Sequence, residues 1–461
     1  MKSYLSILAS LVLSTPLVVA TNTSATEAVP QDIDRRLLGD NTHLIPMPNL
    51  TSYDRSIAIG EGTIAIDSND AAFYYKRGNE RARQGKLELA FADYDRAIQL
   101  NPEYIDAYVS RGFIHAKQGR SKLALADYNR TIQLDPENAS AYYYRGLLYG
   151  RQGKIESALA DYNQAIELNS EDYQSYLYRG LLYNKKGEIE SALADFNRAI
   201  ELNPKYVNAY DSRGVFYIEQ GKIESALADF NQAIELNPKH ANAHYNRGVC
   251  YARQEKTGLA LANYSQAIQL NPKDYQAYHY RGRLYNGQKK LESALADYNK
   301  AIELNPEYAD AYFGKGHVYD SQGQVELALA GYGQAIQLNP EDSQAYYYRG
   351  LIYDRQRKPE LALADYDSAI QIDPDHAKAY LARGYIHHRQ GEAELALADY
   401  DSAIQIDPDY AEAYGNLGLM HMKQGNTEEA RFNLQKAKQL FEAEGKTADV
   451  QKADDLLQQL K

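Results

Sequence analysis

Eight arginine–aspartate pairs are the residues of this chain best suited to charge chemistry. In each pair the aspartate follows the arginine by sixteen residues, and the pairs recur at multiples of 34 residues. They are Arg77/Asp93, Arg111/Asp127, Arg145/Asp161, Arg179/Asp195, Arg213/Asp229, Arg281/Asp297, Arg349/Asp365 and Arg383/Asp399. A guanidinium beside a carboxylate can bind a charged substrate, but catalysis needs one distinctive site and not eight copies. The repetition therefore predicts a structural ladder of ion pairs.

Other reactive side chains form no recognisable site in the sequence. His387 and His388 are adjacent and His421 follows one period later, but no carboxylate–histidine helix motif or cysteine cluster accompanies them. Cys250 is the only cysteine and stands where other copies carry apolar residues, so we expect a buried core residue. Since the sequence contains no nucleophile–base pair or phosphate loop, we predict a protein that is not an enzyme and uses no cofactor or metal.

A glycine recurs every 34 residues without slippage, and an alanine follows each glycine by twelve residues. The glycines are Gly78, Gly112, Gly146, Gly180, Gly214, Gly248, Gly282, Gly316, Gly350, Gly384 and Gly418. Such invariance is expected where two helices approach too closely for a larger side chain. The chain is therefore an array of eleven copies in register.

Each copy is predicted to contain two helices. In the copy over residues 139–172, one helical stretch runs from Ala141 to Gln152, breaks at Gly153, and is followed by a second from Glu156 to Leu168. Asn-Pro or Asp-Pro ends most second helices, because a proline ring disfavours helical geometry in the preceding residue. Ser170 replaces that proline at one junction. The predicted unit is an antiparallel helix pair, which would bring each arginine level with its aspartate.

These copies resemble the tetratricopeptide repeat, whose pattern places a large aromatic residue, Gly, Tyr, Ala, an aromatic residue, Ala and Pro at fixed offsets. The residues of the first copy that carry the resemblance are Tyr74, Gly78, Ala90, Tyr94, Ala97 and Pro102. The resemblance implies an all-α fold, an α-solenoid that forms a right-handed superhelix of about eleven helix-turn-helix repeats. The repeats are 71–104, 105–138, 139–172, 173–206, 207–240, 241–274, 275–308, 309–342, 343–376, 377–410 and 411–444. A polar amphipathic helix over 447–461 is predicted to cap the C-terminal end.

The first seventy residues differ in kind from the array. Lys2, the apolar run that follows it and the small side chains before Ala20 predict a signal peptide over 1–20; an uncleaved membrane anchor is the alternative. We therefore expect an exported protein of bacterial type, periplasmic or extracellular, with no integral membrane segment after signal removal. Residues 21–70 are polar and predicted to form a linker, in which alternating isoleucines are compatible with a β-hairpin over 57–66.

The charge balance limits the class of partner. The chain has 50 Lys and Arg against 62 Asp and Glu, a net charge of −12. This balance opposes long-range attraction to the phosphates of nucleic acids. We predict that nucleic acid is not a partner.

The resemblance implies that the first helix of each repeat lines a concave groove, which in this family grips an extended peptide or a partner's helix. The rings at the corresponding places are Tyr75, Tyr143, Tyr144, Tyr178, Tyr245, Tyr280, Phe313, Tyr347, Tyr348 and Tyr385. A row of cations follows near the ends of the same helices: Arg83, Lys117, Arg151, Lys185, Arg253, Arg355, Arg389 and Lys423. Two alternatives stay open: the rings pack between repeats, and the cations stabilise helix C-termini.

The predicted function is a non-catalytic scaffold that binds a peptide or helix of a partner protein in the concave groove. The alternative is an extracytoplasmic module that binds glycan or cell-wall polysaccharide, for which stacked tyrosine rings would also serve. Peptide binding through the cations should weaken with salt, whereas glycan binding through the rings should hardly respond. The sequence does not determine the oligomeric state.

Overall fold

The computed structural model of the protein describes residues 70–460, in which there are 23 helices and no strand. The predicted signal peptide over 1–20 and the predicted β-hairpin over 57–66 lie outside the described residues. None of the helices in 70–460 combines the length and apolar composition that a membrane span requires. For the described residues, the prediction of an all-α fold built from helix-turn-helix repeats is confirmed.

The chain divides into two compact units, and the first, here called the N-terminal unit, includes residues 70–255 of the described range. Its helices are α1 (Ala71–Arg83), α2 (Leu87–Leu100), α3 (Ile105–Lys117), α4 (Ser121–Leu134), α5 (Ala139–Arg151), α6 (Ile155–Leu168), α7 (Tyr173–Lys185), α8 (Ile189–Leu202), α9 (Val207–Glu219), α10 (Ile223–Leu236) and α11 (Ala241–Arg253). Odd-numbered helices are the first helices of the repeats, and even-numbered helices are the second helices.

The C-terminal unit includes residues 256–460 of the described range. Its helices are α12 (Thr257–Leu270), α13 (Tyr275–Gly287), α14 (Leu291–Leu304), α15 (Ala309–Ser321), α16 (Val325–Leu338), α17 (Ser343–Arg355), α18 (Pro359–Ile372), α19 (Ala377–Gln390), α20 (Ala393–Ile406), α21 (Ala411–Gln424), α22 (Thr427–Ala443) and α23 (Thr447–Gln459). The same alternation of first and second helices continues up to α22.

The turn inside a repeat places one residue in the left-handed region. Gly153, between α5 and α6, has a φ of 71°, which costs glycine little because it has no Cβ. Lys289 and Arg357 stand at the equivalent place and adopt the same conformation, each with a φ of 57°. The turn therefore forms in repeats where the sequence offers no helix-breaking glycine.

Asn138 explains why α5 begins at Ala139, two residues earlier than the apolar spacing predicts. Its side chain accepts a hydrogen bond from the backbone N–H of Ala141 at 3.1 Å. Such a cap satisfies one of the N–H groups that a helix start leaves without an intrahelical partner.

Asn169 shows that the stop between repeats does not depend on proline. It has extended backbone geometry, with φ −141° and ψ 91°, and its side chain accepts a hydrogen bond from the N–H of Glu171. Asn101 makes the same bond to the N–H of Glu103, although a proline follows Asn101. The asparagine turn is thus common to both junctions, and Ser170 is tolerated without loss of the stop.

In the repeats that lie within one unit, the invariant glycine lies where the two helices of the repeat touch. A Cβ on Gly146 would lie 2.9 Å from the ring of Tyr162, and one on Gly112 would lie 2.8 Å from the ring of Tyr128. The alanines Ala124 and Ala158 are fully buried. These contacts confirm that the invariant residues pack the helices together.

Helix α23 covers the last repeat. Its buried Leu456 packs against Leu419 and Leu434. On the same helix, Asp454 forms an ion pair with Lys438 of α22 at 2.7 Å. The apolar side of α23 therefore takes the place that a further repeat would fill.

Candidate functional site

All eight arginine–aspartate pairs form in the structure. In the pair between α5 and α6, Arg145 donates from Nε to Asp161 Oδ2 at 2.8 Å and from Nη2 to Asp161 Oδ1 at 2.7 Å. The other pairs have the same contact between Nη2 and Oδ1, at 2.6 or 2.7 Å. This two-pronged geometry confirms the ladder as a packing device, because each carboxylate is buried and occupied by its own arginine.

Burial and pairing act on the two partners of this pair in different ways. The hydrogen bond to Asp161 raises the pKa of Arg145, so that the guanidinium stays charged. Burial raises the pKa of Asp161, although the nearby guanidinium opposes the change. Because the two groups are bonded to each other, neither is available as an acid or a base for a ligand.

Most of these arginines make a third contact that was not predicted from the sequence. Arg145 Nη1 donates to Asn129 Oδ1 of the preceding repeat at 2.7 Å, sixteen residues earlier. The equivalent contacts are Arg111–Asp95, Arg179–Asn163, Arg213–Asn197, Arg247–Asn231, Arg281–Ser265 and Arg383–Asp367. The signal that could have revealed them is the run of short polar residues at this place in nearly every copy.

Aromatic rings enclose the same guanidinium groups. The guanidinium carbon of Arg179 lies 5.4 Å from the ring centroid of Tyr176 and 5.7 Å from that of Tyr183, three residues before and four residues after it on α7. Arg281 lies in the same way between Tyr278 and Tyr285. These rings lie on the same helix as the arginine and add a further contact to each guanidinium group.

Four of the ten predicted groove rings are buried: Tyr143, Tyr144, Tyr178 and Tyr245. Tyr144 of α5 stacks on Tyr128 of α4, with centroids 5.8 Å apart, and Tyr178 of α7 stacks on Tyr162 of α6, at 6.3 Å. An extended ligand can contact only accessible rings. The burial of these four rings therefore disagrees with the expectation that they bind such a ligand. Their burial agrees with the alternative that the sequence left open, in which the rings pack between repeats.

The other six predicted rings are partly exposed: Tyr75, Tyr280, Phe313, Tyr347, Tyr348 and Tyr385. Most of them also pack against neighbouring rings. Tyr348 of α17 stacks on Tyr332 of α16 at 6.0 Å, and Tyr280 of α13 stacks on Tyr264 of α12 at 6.2 Å. The stacking of a first-helix ring on the second helix before it therefore recurs in both units.

In the C-terminal unit, the predicted row of cations is bonded to the repeats themselves. Arg355 Nη2 lies 2.5 Å from Asp320 Oδ1, and Arg389 Nη2 lies 2.7 Å from Asp354 Oδ1. Lys423 Nζ lies 2.6 Å from His388 Nε2. Each contact joins residues 35 positions apart, so the C-terminal ends of successive first helices face each other. The packing alternative thus fits these three cations.

In the N-terminal unit, the residue 35 positions before each of three cations of this row is small and uncharged. The residues 35 positions before Lys117, Arg151 and Lys185 are Ala82, Ala116 and Gly150. Of the cations, Arg83, Arg151 and Lys185 are exposed, and Lys117 is half-buried with its ammonium group 5.1 Å from the ring centroid of Phe113. The distance between Arg83 Nη1 and Glu80 Oε2 is 3.5 Å.

The row of the N-terminal unit ends at α9. Glu219 replaces the cation and accepts a hydrogen bond from Asn184 at 2.7 Å. One repeat later, Arg253 donates to the carbonyl oxygen of Ile218 at 3.1 Å. A positive strip thus runs over the ends of α1, α3, α5 and α7.

The histidines and the cysteine occupy packing positions. His387 Nδ1 lies 2.5 Å from Glu392 Oε2. Burial, together with the adjacent ammonium group of Lys423, lowers the pKa of His388 to about 4. Cys250 is buried, which raises its thiol pKa to about 12. Over residues 70–460 the structure contains no group of three or more His, Cys, Asp or Glu side chains placed to hold a metal ion.

Comparisons with known proteins relate the chain to one family. A model described as "TPR repeat" matches residues 78–119, 116–153, 214–255, 282–322 and 388–425. Models described as "Tetratricopeptide repeat" match residues 143–207, 313–377, 241–274, 411–443 and 196–228. Together these ranges cover more than half of the chain. No curated protein matches the chain.

Several solved structures have similar folds. Yeast Tom70 is 16% identical over 84% of this chain and 96% of its own, with a TM-score of 0.44. The Cut9–Hcn1 hetero-tetramer of the APC/C is 13% identical over 85% of this chain and 96% of that one, with a TM-score of 0.48. YrrB, described as a TPR protein with an unusual peptide-binding site, is 29% identical over 41% of this chain and 97% of its own, with a TM-score of 0.33.

Proposed function

Since this chain belongs to the tetratricopeptide repeat family, we propose that it is a non-catalytic scaffold that binds an acidic, extended segment of a partner protein. The binding surface is the positive strip on the first helices of the N-terminal unit. Solenoid proteins commonly use the extended surface that their repeats create to bind other proteins.

The observation that carries this proposal is the contrast between the two units. In the C-terminal unit the cations Arg355 and Arg389 face Asp320 and Asp354, which already neutralise them. In the N-terminal unit, alanine and glycine stand where those aspartates would be for Lys117 and Lys185. Lys117 and Lys185 therefore present positive charge at the ends of α3 and α7, and Arg151 is exposed on the repeat between them. Carboxylates of a partner would complement this charge.

The glycan alternative has less support. Sugar binding by stacking needs an open ring face, and Tyr143, Tyr144, Tyr178 and Tyr245 are buried. The rings that are partly exposed are mostly engaged with one another, as Tyr348 is with Tyr332 and Phe313. Charge is a more accessible feature of the first helices than aromatic surface.

Two matched triple variants of the full chain test the proposal. One is Lys117→Gln/Arg151→Gln/Lys185→Gln in the N-terminal unit, and the control is Arg355→Gln/Arg389→Gln/Lys423→Gln in the C-terminal unit. The probe is a fluorescein-labelled twelve-residue peptide of alternating Glu and Ser, with a Gln/Ser peptide as its neutral counterpart. Fluorescence anisotropy at two salt concentrations measures the affinity.

We expect the N-terminal variant to bind the acidic peptide at least about tenfold more weakly, a change of ~1.4 kcal/mol, and the control to bind within about twofold. Binding should also weaken with salt. Equal affinity of the acidic and neutral peptides, or equal loss in both variants, would contradict the proposal. Binding of chitohexaose that neither triple variant changes would favour the glycan alternative.

We also propose that the protein is exported, with residues 1–20 as the signal peptide. The mass of the protein recovered from the producing cell tests this. A mature chain that begins at Thr21 is the expected result. An intact chain held in the membrane fraction would favour the anchor alternative.

A further inference from the structure

A row of exposed apolar side chains lies on the second helices of the C-terminal unit. Leu327, Leu361 and Leu395 occupy the same place in α16, α18 and α20, and they are 48%, 48% and 53% exposed. In α22 the large exposed residue is Phe432, at 66%. The row therefore extends over four consecutive repeats, and we call it the leucine row.

The repeat fold does not require leucine at this place. Serine occupies the equivalent position in four other repeats, at Ser157, Ser191, Ser225 and Ser293. Those repeats have second helices of the same length and the same buried alanine at the next residue, such as Ala158 beside Ser157 and Ala362 beside Leu361. Leucine at this place is therefore not required by the packing of a repeat, although Leu89, Leu123 and Leu259 also occupy it.

Small exposed residues lie beside the leucine row and widen the apolar strip on each helix. Ala330, Ala364 and Ala398 are exposed and follow the three leucines by three residues, so they lie on the same helix face. Phe432 stands at the place of Ala398 one repeat later. Large apolar side chains grouped on a protein surface are typical of an interaction site.

The charge beside the strip decides what can cover it. Glu326, Glu360 and Glu394 immediately precede the three leucines, and all three are exposed. A second copy of the chain would bring two such acidic rows together, in a molecule whose net charge is already −12. An anionic membrane would meet the same repulsion.

We propose that the leucine row binds a basic amphipathic helix of a partner protein. The apolar side of that helix would cover Leu327, Leu361, Leu395 and Phe432, and its lysines or arginines would meet the glutamates beside them. Binding of this kind is an amphipathic helix laid along an apolar strip with complementary charge at its edge. None of its residues belongs to the positive strip, so this surface stands independently of the function proposed above and makes the protein a scaffold for two partners of opposite charge.

The test uses the full chain and a labelled eighteen-residue helix of leucine and lysine with all leucines on one face. A peptide in which glutamate replaces every lysine is the charge control. The variant is Leu327→Ser/Leu361→Ser/Leu395→Ser, and the matched control is Leu89→Ser/Leu123→Ser, which changes the same place in the N-terminal unit. Thermal unfolding checks the fold, and we expect little change because serine already occupies this place in four repeats.

We expect the leucine-to-serine triple variant to bind the leucine–lysine helix at least about tenfold more weakly than the parent chain, and the double control to bind as the parent does. The leucine–glutamate peptide should not bind. Equal losses in the triple variant and the double control would overturn the proposal. So would a dimer of the parent chain that the triple variant converts to monomer, or binding to phosphatidylglycerol vesicles that the triple variant loses.

Discussion

Arg145 donates from Nη1 to Asn129 of the preceding repeat, sixteen residues earlier, at 2.7 Å. The same guanidinium is bonded to Asp161, sixteen residues later. One side chain on a first helix therefore ties together two second helices that are adjacent in the array. Because stability in a repeat array is the sum of the repeats and of their interfaces, this contact acts on the interface term.

The interface between α16 and α17 lacks this contact and allows its contribution to be tested. Gly333 stands where Asn129 stands, so Arg349 is bonded to Asp365 without a side chain at that place. Gly333→Asn should slow hydrogen exchange in α16 and α17 more than Gly333→Ala does, because only asparagine supplies an acceptor to Arg349. Asparagine is the weaker helix former of the two. A more protected alanine variant would show that the contact contributes less than this difference in helix propensity.

Gly331 lies in the same helix as Gly333 but is buried, so we expect a substitution there to destabilise the protein. A Cβ there would lie 2.7 Å from the Cα of Gly316, a backbone atom that cannot rotate away. Gly331→Ala should lower the stability of the C-terminal unit by about 1–3 kcal/mol. Gly333→Ala is the control, since nothing lies within 4 Å of its Cβ, and it should stabilise the helix by about 0.5–1 kcal/mol. Urea unfolding measures both, and changes of equal sign would refute the distinction.

The buried tyrosines of the second helices differ in the hydrogen bonding of their hydroxyl groups. Tyr94 donates to Asn79 Oδ1 at 2.8 Å, whereas no hydrogen-bond partner for the hydroxyl of Tyr366 is found within residues 70–460. Phenylalanine already occupies this place at Phe196 and Phe230. Tyr366→Phe should therefore be neutral or stabilising, and Tyr94→Phe should cost about 1 kcal/mol in thermal unfolding experiments. A comparable loss in both variants would mean that Tyr366 has a partner.

His279 should make the stability of the C-terminal unit depend on pH. Burial among Tyr280, Tyr298 and Tyr308 lowers its pKa well below 6.5, and the nearby charge of Arg283 adds to the effect. The unfolded chain therefore binds more protons at acidic pH, so stability is complete above about pH 6.5 and declines as the pH falls below it.

His279→Phe tests this dependence, because Phe313 occupies the same place one repeat later. The melting temperature of the variant between pH 4.5 and 7.5 should decline less steeply on acidification than that of the parent chain. His388→Gln is a useful comparison, since the pKa of His388 is about 4 and its contribution belongs to the window between that value and 6.5. Parallel pH profiles for the parent chain and His279→Phe would rule out the titration of His279 as a cause.

The sequence by itself determined the repeating unit. A strict 34-residue period fixes which residues are equivalent, and helical geometry then requires Arg145 and Asp161 to meet across the turn between α5 and α6. The close approach at Gly146 is predicted in the same way. A place that is glycine in every copy indicates that the partner helix lies too close for a larger side chain. These are contacts within one repeat, where a short turn leaves the two helices little freedom.

Only the tertiary structure decided the contacts between repeats. The bond from Arg145 to Asn129, the burial of Tyr143 and the pairing of Arg389 with Asp354 all depend on how far one helix pair is rotated against the next. The period gives the number of residues between such partners but not that rotation, which results from the packing of all the side chains at the interface. For this reason the sequence could identify the rings and cations of the first helices. It could not predict which of them are buried by, or paired with, the neighbouring repeat.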